Sequence, residues 1–264
     1  MFINKNNNIC IYYLFKMDIY FISTYIGPLN LLDISNNFEK IKGAKYFFFT
    51  NLKKNDIKNN SWEIIEINLN NKEFKKINNS VKISRYFKFK VFDYLKNNLN
   101  LNVEFIFYCD SYLYPKASIN WINICNNLKN NKTGIIQYKH ERYNGGIETD
   151  LECICKGNKD TQDNINKTKK FLINIDKNIN LKTPQFFENT VIGFYMNNKN
   201  TIKQCEEFWK YYIDCPTYRD QPLWNYIYLK NNFIPYIDNN FRSYFDGIKK
   251  IERRINEYNS ANNI

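Results

Sequence analysis

The sequence predicts an α/β fold: one domain with a mainly parallel central sheet flanked by helices. Short apolar runs rich in Phe, Tyr and Ile read as strands buried on both faces. They alternate with segments of helical spacing along the whole chain. No internal repeat and no clean linker divides the 264 residues. One domain over residues 18–245 therefore accounts for them, with an N-terminal extension over 1–17 and a basic helix and tail over 246–264.

Residues 18–25 are the first expected strand, broken by Gly27-Pro28. The runs 45–51 and 62–67 are the second and third. Residues 81–97 have helical spacing and no breaker. The next run, Val103-Glu104-Phe105-Ile106-Phe107-Tyr108-Cys109-Asp110, is apolar almost throughout and stops at a carboxylate. Pro115 then opens an expected helix over 117–128. Residues 134–138 form a strand that delivers His140. Residues 149–155 and 167–176 read as helices, and 156–184 as a mobile, polar insertion. Residues 190–196 are another strand, followed by helices over 201–213 and 220–230. The last helix, 248–258, carries Ile248, Ile251 and Ile255 on one face with lysines and arginines around it. That face packs on the parent domain, or it forms a homodimer or meets an anionic membrane surface.

Aromatic residues make up 17% of the chain, which excludes a disordered polymer. The 38 basic and 26 acidic side chains give a net charge of +12, which taken alone suggests an anionic partner. The chain is also saturated with Asn, Lys, Ile, Tyr and Phe, the residues of AT-rich codons, so much of the Lys excess reflects codon bias. That bias points to a protist or a large DNA virus. A basic nucleic-acid-binding module is an alternative, but the chain lacks a Gly-aromatic RNA-binding signature and a zinc framework, so no nucleic acid is expected. Seven scattered cysteines read as reduced thiols. The apolar stretch 9–27 is interrupted by Lys16 and Asp18, so no transmembrane segment is expected. The expected location is the cytoplasm, or the host cytoplasm for a viral protein.

Residues that run against the codon bias mark four segments. Ser84, Arg85 and Lys88 share a helical face that suits a phosphate. Asp110 ends a buried strand, where α/β sheets hold their ligands, although a turn cap also explains an Asp there. His140, the sole histidine, precedes Arg142, paired glycines, and Glu148 and Glu152 four apart. Arg219-Asp220-Gln221 begins a helix, where Asp220 reads as an N-cap or as a carboxylate facing a cleft.

In this order the segments resemble the plant-type mucilage-related and turgor-regulation glycosyltransferase-like family. The shared series is Phe48-Phe49-Thr50 with Trp62, Arg85 to Lys88, the strand closing in Asp110, and Lys139-His140 with Arg142. It continues through Glu188 before Val191-Ile192, Trp209 and Arg219-Asp220-Gln221. The likeness spans roughly residues 18–238 and extends to the wider GT-A nucleotide-sugar transferases.

The resemblance implies a GT-A (Rossmann-like) fold and transfer of a sugar from a nucleotide-sugar donor to a glycan or protein acceptor, a UDP-sugar being favoured over a GDP-sugar. It implies a donor side of Ser84, Arg85, Lys88, Asp110, Ser111 and Tyr112, with Mn²⁺ or Mg²⁺ at Asp110. It implies a sugar and acceptor side of His140, Arg142, Glu148, Glu152, Arg219 and Gln221. Asp220 is the expected base, with Glu188 second. The family tends to carry Asp-Gly-Asn-like residues where this chain has Asp110-Ser111-Tyr112. A catalytically degenerate transferase domain is the alternative that this departure raises.

Overall fold

The computed structural model describes residues 18–247 apart from positions 36, 59–60 and 78. The expected extension over 1–17 and the basic helix over 248–258, with its packing, dimer or membrane role, lie outside the described residues.

Strands β1 (Ile19–Tyr25), β2 (Lys45–Thr50) and β3 (Glu63–Glu66) precede helices α1 (Lys72–Ile77), α2 (Ser80–Phe89) and α3 (Val91–Leu99). Next come β4 (Phe105–Cys109), β5 (Leu113–Pro115), α4 (Trp121–Asn130), β6 (Ile135–Gln137), α5 (Gly146–Lys156) and α6 (Gln162–Ile175). The series ends with β7 (Val191–Tyr195), α7 (Lys199–Tyr212), α8 (Asp220–Lys230), β8 (Tyr236–Ile237) and β9 (Phe245–Gly247).

Seven strands form one sheet in the order β3-β2-β1-β4-β7-β6-β8, and β5 pairs with β9 in a separate ribbon. β1 to β4 run parallel, as do β6 and β8; β7 alone is antiparallel to its neighbours. The fold is thus α/β with a mainly parallel sheet. All five residues of β4 are buried, and the strand pleat sends them to opposite faces. Ile106 and Tyr108 join one hydrophobic cluster; Phe105, Phe107 and Cys109 join the other. β7 crosses the middle of the sheet through Gly193. A Cβ there would lie 2.5 Å from Ile136 and 2.8 Å from Phe107, so only glycine fits between these side chains.

Three expected elements are corrected. The helix over 81–97 divides at Lys90, whose backbone leaves the helical region, into α2 and α3. Pro115 ends β5 instead of opening a helix; α4 starts at Trp121, where the Asn120 side chain caps the Asn123 N–H at 3.1 Å. Residues 156–184 are built into the domain and carry the whole of α6. Thr161 caps α6, Ile165 and Leu172 enter the core, and Asp160 accepts a 2.7 Å hydrogen bond from Thr217.

The chain moves outward from β1 through β2 to β3 and returns to β4 on the other side of β1. Strand order reverses between β1 and β4, and the crevice beyond their carboxyl ends is where such sheets bind ligands.

Candidate active site

Two cavities open at this crevice and share Asp110, Tyr112 and Arg219. The first, about 500 Å³, is walled by Thr24 and Tyr25 at the end of β1, by Asp33, and by Ser84 and Arg85 of α2. The second, about 280 Å³, is walled by charged and polar side chains, among them His140, Arg142, Asp150, Glu188 and Gln221. Of the residues expected around a nucleotide, Ser84, Arg85, Asp110, Ser111 and Tyr112 line the first cavity. Of those expected around a sugar or acceptor, His140, Arg142 and Gln221 line the second, and Arg219 lines both.

The second cavity owes its geometry to a short continuation of β6. The His140 N–H donates to the Phe186 carbonyl at 3.0 Å and the Glu188 N–H to the Tyr138 carbonyl at 3.1 Å, with a bridge between Lys139 and Phe187. This brings His140 Nε2 to 2.9 Å from Glu188 Oε2. His140 Nδ1 accepts the Arg142 N–H at 2.9 Å, so the Nε2 proton points at Glu188. Glu188 Oε1 accepts from the Thr190 hydroxyl at 2.7 Å and from the N–H groups of Asn189 and Thr190 at 3.2 and 3.3 Å. Burial alone would raise the Glu188 pKa, but the His140 and Thr190 bonds outweigh it and hold the carboxyl below its ordinary value. The Asp110 N–H donates to the Thr190 carbonyl at 3.0 Å, which joins this cluster to the end of β4.

Asp220 and Lys88 have a different place from the one expected. Asp220 Oδ1 accepts from Arg85 Nε at 2.8 Å, and Oδ2 accepts from Lys88 Nζ at 3.0 Å and Asn189 Nδ2 at 3.1 Å. The Asp220 and Lys88 side chains are 5% and 2% exposed and line neither cavity. Burial would push the Asp220 carboxyl up, but Lys88, Arg85 and Arg219 hold it well below the usual carboxylate range. A carboxylate so strongly held, and out of reach of a ligand, is a poor proton acceptor. Asp220 is corrected from base to the anchor that aims Arg85, and Lys88 from phosphate ligand to an internal counter-charge.

Glu148 and Glu152 are corrected as well. Glu148 pairs with Lys169 and Lys182, Glu152 is exposed, and neither lines a cavity. The acid that α5 sends into the second cavity is Asp150, which lies between them. Its signal was available in the sequence. Asp150 is three residues after Ile147 and four before Ile154, so it stands on the apolar face of the helix. Asp150 Oδ1 accepts from Arg142 Nη1 at 2.5 Å. Burial raises its pKa, against the opposing pull of Arg142, His140 and Arg219.

Asp110 stands on the edge common to both cavities, its Oδ1 accepting from the Tyr108 hydroxyl at 3.2 Å. Among the described residues, no three His, Cys, Asp or Glu side chains gather into a metal cage. A hard divalent cation needs fewer when phosphate oxygens and water complete its shell. Asp110, at the junction of the cavities, is the carboxylate that would hold such a cation, with the rest of its shell coming from outside the chain. No helix among the described residues is long and apolar enough to cross a membrane.

No protein-family model matches this chain, and no curated protein matches it.

Proposed function

We propose that the protein is a glycosyltransferase that moves a sugar from a nucleotide-sugar donor to an acceptor hydroxyl. The observation that carries this reading is the pair of unlike cavities meeting at Asp110, at the point where strand order reverses. The larger cavity has apolar and aromatic walls with Arg85 at its side, which suits a nucleoside with its diphosphate. The smaller is almost wholly polar, which suits sugar hydroxyls. The likeness to the plant-type family and to the GT-A transferases supports the same assignment.

In this reading the nucleoside lies between Tyr25 and Tyr218, and the diphosphate reaches Asp110. Mn²⁺ or Mg²⁺, held by Asp110 and the diphosphate oxygens, would neutralise charge on the leaving phosphate. Arg85, fixed by Asp220, and Arg219, which borders both cavities, add fixed positive charge where the negative charge develops. Glu188 and His140, fixed by their own hydrogen bonds, form a rigid polar wall of the cavity that takes the transferred sugar.

Thermal unfolding with UDP-, GDP- and CMP-sugars, each with and without Mn²⁺, tests the proposal. A donor at one hundred times its Kd stabilises the folded state by about 2.7 kcal/mol, or roughly 5–10 °C in a protein of this size. The expected result is a shift of that order with a UDP-sugar that grows when Mn²⁺ is added. No shift with any donor overturns the reading. A shift without turnover assigns the chain to the degenerate, donor-binding class.

A further inference from the structure

We propose that Asp150 is the catalytic base that takes the proton from the acceptor hydroxyl, making the transfer a single displacement with inversion at the anomeric carbon. This rests on the transferase reading above. The assignment comes from which carboxylate oxygens at the crevice are already taken. Both oxygens of Asp220 are bonded to cations or an amide, and the residue lines neither cavity. Both oxygens of Glu188 are taken, one by His140 and the other by Thr190 and two backbone N–H groups. Asp33 lines only the larger cavity. Asp110, on the shared edge, is the carboxylate nearest the diphosphate in the proposed function.

Asp150 is the remaining acid of the polar cavity. Arg142 Nη1 holds its Oδ1 at 2.5 Å, and among the described residues no donor reaches Oδ2. One oxygen is therefore anchored and the other is open to a hydroxyl in the cavity. The groups that bear on it are Arg142 and His140 from the segment after β6, and Arg219 from the start of α8. Lys159, Glu188, Asp110 and Cys153 share the same wall. Burial makes this carboxylate more basic than an ordinary Asp, in the direction its role requires.

The step balances. The acceptor oxygen forms a bond to the anomeric carbon, and the bond from that carbon to the phosphate oxygen breaks. Its electron pair leaves with the nucleoside diphosphate, and the acceptor proton passes to Asp150 Oδ2. Water is an acceptor by the same chemistry, so UDP release from a UDP-sugar reads the step even without the natural acceptor.

The test compares the full-length wild type with Asp150→Asn and Asp150→Glu. The probes are UDP-glucose, UDP-galactose and UDP-N-acetylglucosamine with Mn²⁺, and the readouts are UDP release and transfer across pH. Asp150→Asn is expected to bind UDP within about twofold of the wild type and to lose roughly 10²–10⁴-fold in turnover. The wild-type rate should fall at acid pH as Asp150 takes up a proton. Asp150→Asn should lose that limb, and Asp150→Glu should recover part of the rate. An unaltered acid limb in Asp150→Asn overturns the proposal, and so does retained configuration in the wild-type product, followed by NMR, even if the variant fails to fold. A wild type that binds UDP but releases none from these donors overturns it too. A wild type stabilised by none of the UDP-, GDP- or CMP-sugars overturns the transferase reading with it.

Discussion

Asp220 and Asp150 are both buried, both belong to helices that border the crevice, and both pair with an arginine, yet their surroundings push them in opposite directions. Asp220 meets two cations and an amide and is held as a permanent anion. Asp150 meets one arginine on one oxygen and is pushed up by burial. The number of donors per carboxylate decides the difference. Where donors saturate both oxygens, desolvation is offset and the acid becomes a structural post. Where one oxygen stays open, desolvation wins and the acid can work on protons. The two cavities express the same division. The larger borrows fixed charge from the Asp220 node through Arg85, and the smaller keeps an acid with an open oxygen.

The largest expected effect breaks the saturated side. Asp220→Ala leaves Lys88 buried and Arg85 half-buried without their shared counter-charge, a change that costs about 3–5 kcal/mol at such sites. For a chain of this length that is a fall in Tm of roughly 10 °C, read by thermal unfolding. A Tm within a degree or two of wild type would mean that the node does not hold α2 to α8, and the comparison with Asp150 would fail.

Next in size is Asp110, one of the three residues that both cavities share. Asp110→Ala should lower turnover by about 10²–10³-fold, the usual loss when one preorganised charge contact at a leaving group is removed. The fold should survive, because Asp110 is only partly buried and, among the described residues, its side chain takes one hydrogen bond, from Tyr108. Steady-state UDP release with Mn²⁺, alongside unfolding curves, separates the two readouts. Full activity in this variant would remove Asp110 from the donor site.

The contrast also explains what could be read in the sequence. The sheet was legible because strands such as 105–109 are apolar on both faces, and their composition alone separates them from helices. Asp110 was legible for the same reason, as the residue that stops such a strand. The lateral order was not, since it rests on contacts between distant segments, such as Gly193 of β7 lying between Ile136 and Phe107. The sequence marks Asp220 but not its pairing, because its cationic partners lie more than 130 residues away, on α2. The four-residue spacing of Glu148 and Glu152 draws attention away from Asp150. The apolar face of α5 held the better signal, since a carboxylate among Ile147, Leu151 and Ile154 must be buried.

The smallest effect is the pH dependence of stability, and its sign differs between the two kinds of acid. Glu188 and Asp220 have folded pKa values below their unfolded ones, so the folded state holds their charged forms more tightly. Their contribution is complete above the unfolded carboxylate range, about 4, and is lost as pH falls through the lowered values. Asp150 has a raised folded pKa, so its ionisation weakens the fold as pH rises from about 4 through that raised value. In the wild type these slopes oppose each other. Stability should climb as pH falls from neutrality towards the ordinary carboxylate range, then drop below about pH 4, where the unfolded chain takes up protons at positions 188 and 220 that the folded protein still keeps off. Asp150→Asn cannot ionise at that position, so its Tm should stay flat over the first interval and fall over the second. Unfolding curves of the two proteins from pH 7 to pH 3 in one buffer series give the comparison directly. Parallel curves throughout would mean that Asp150 ionises in the folded protein as it does in the unfolded chain, and the asymmetry between the open and the saturated carboxylate would be lost.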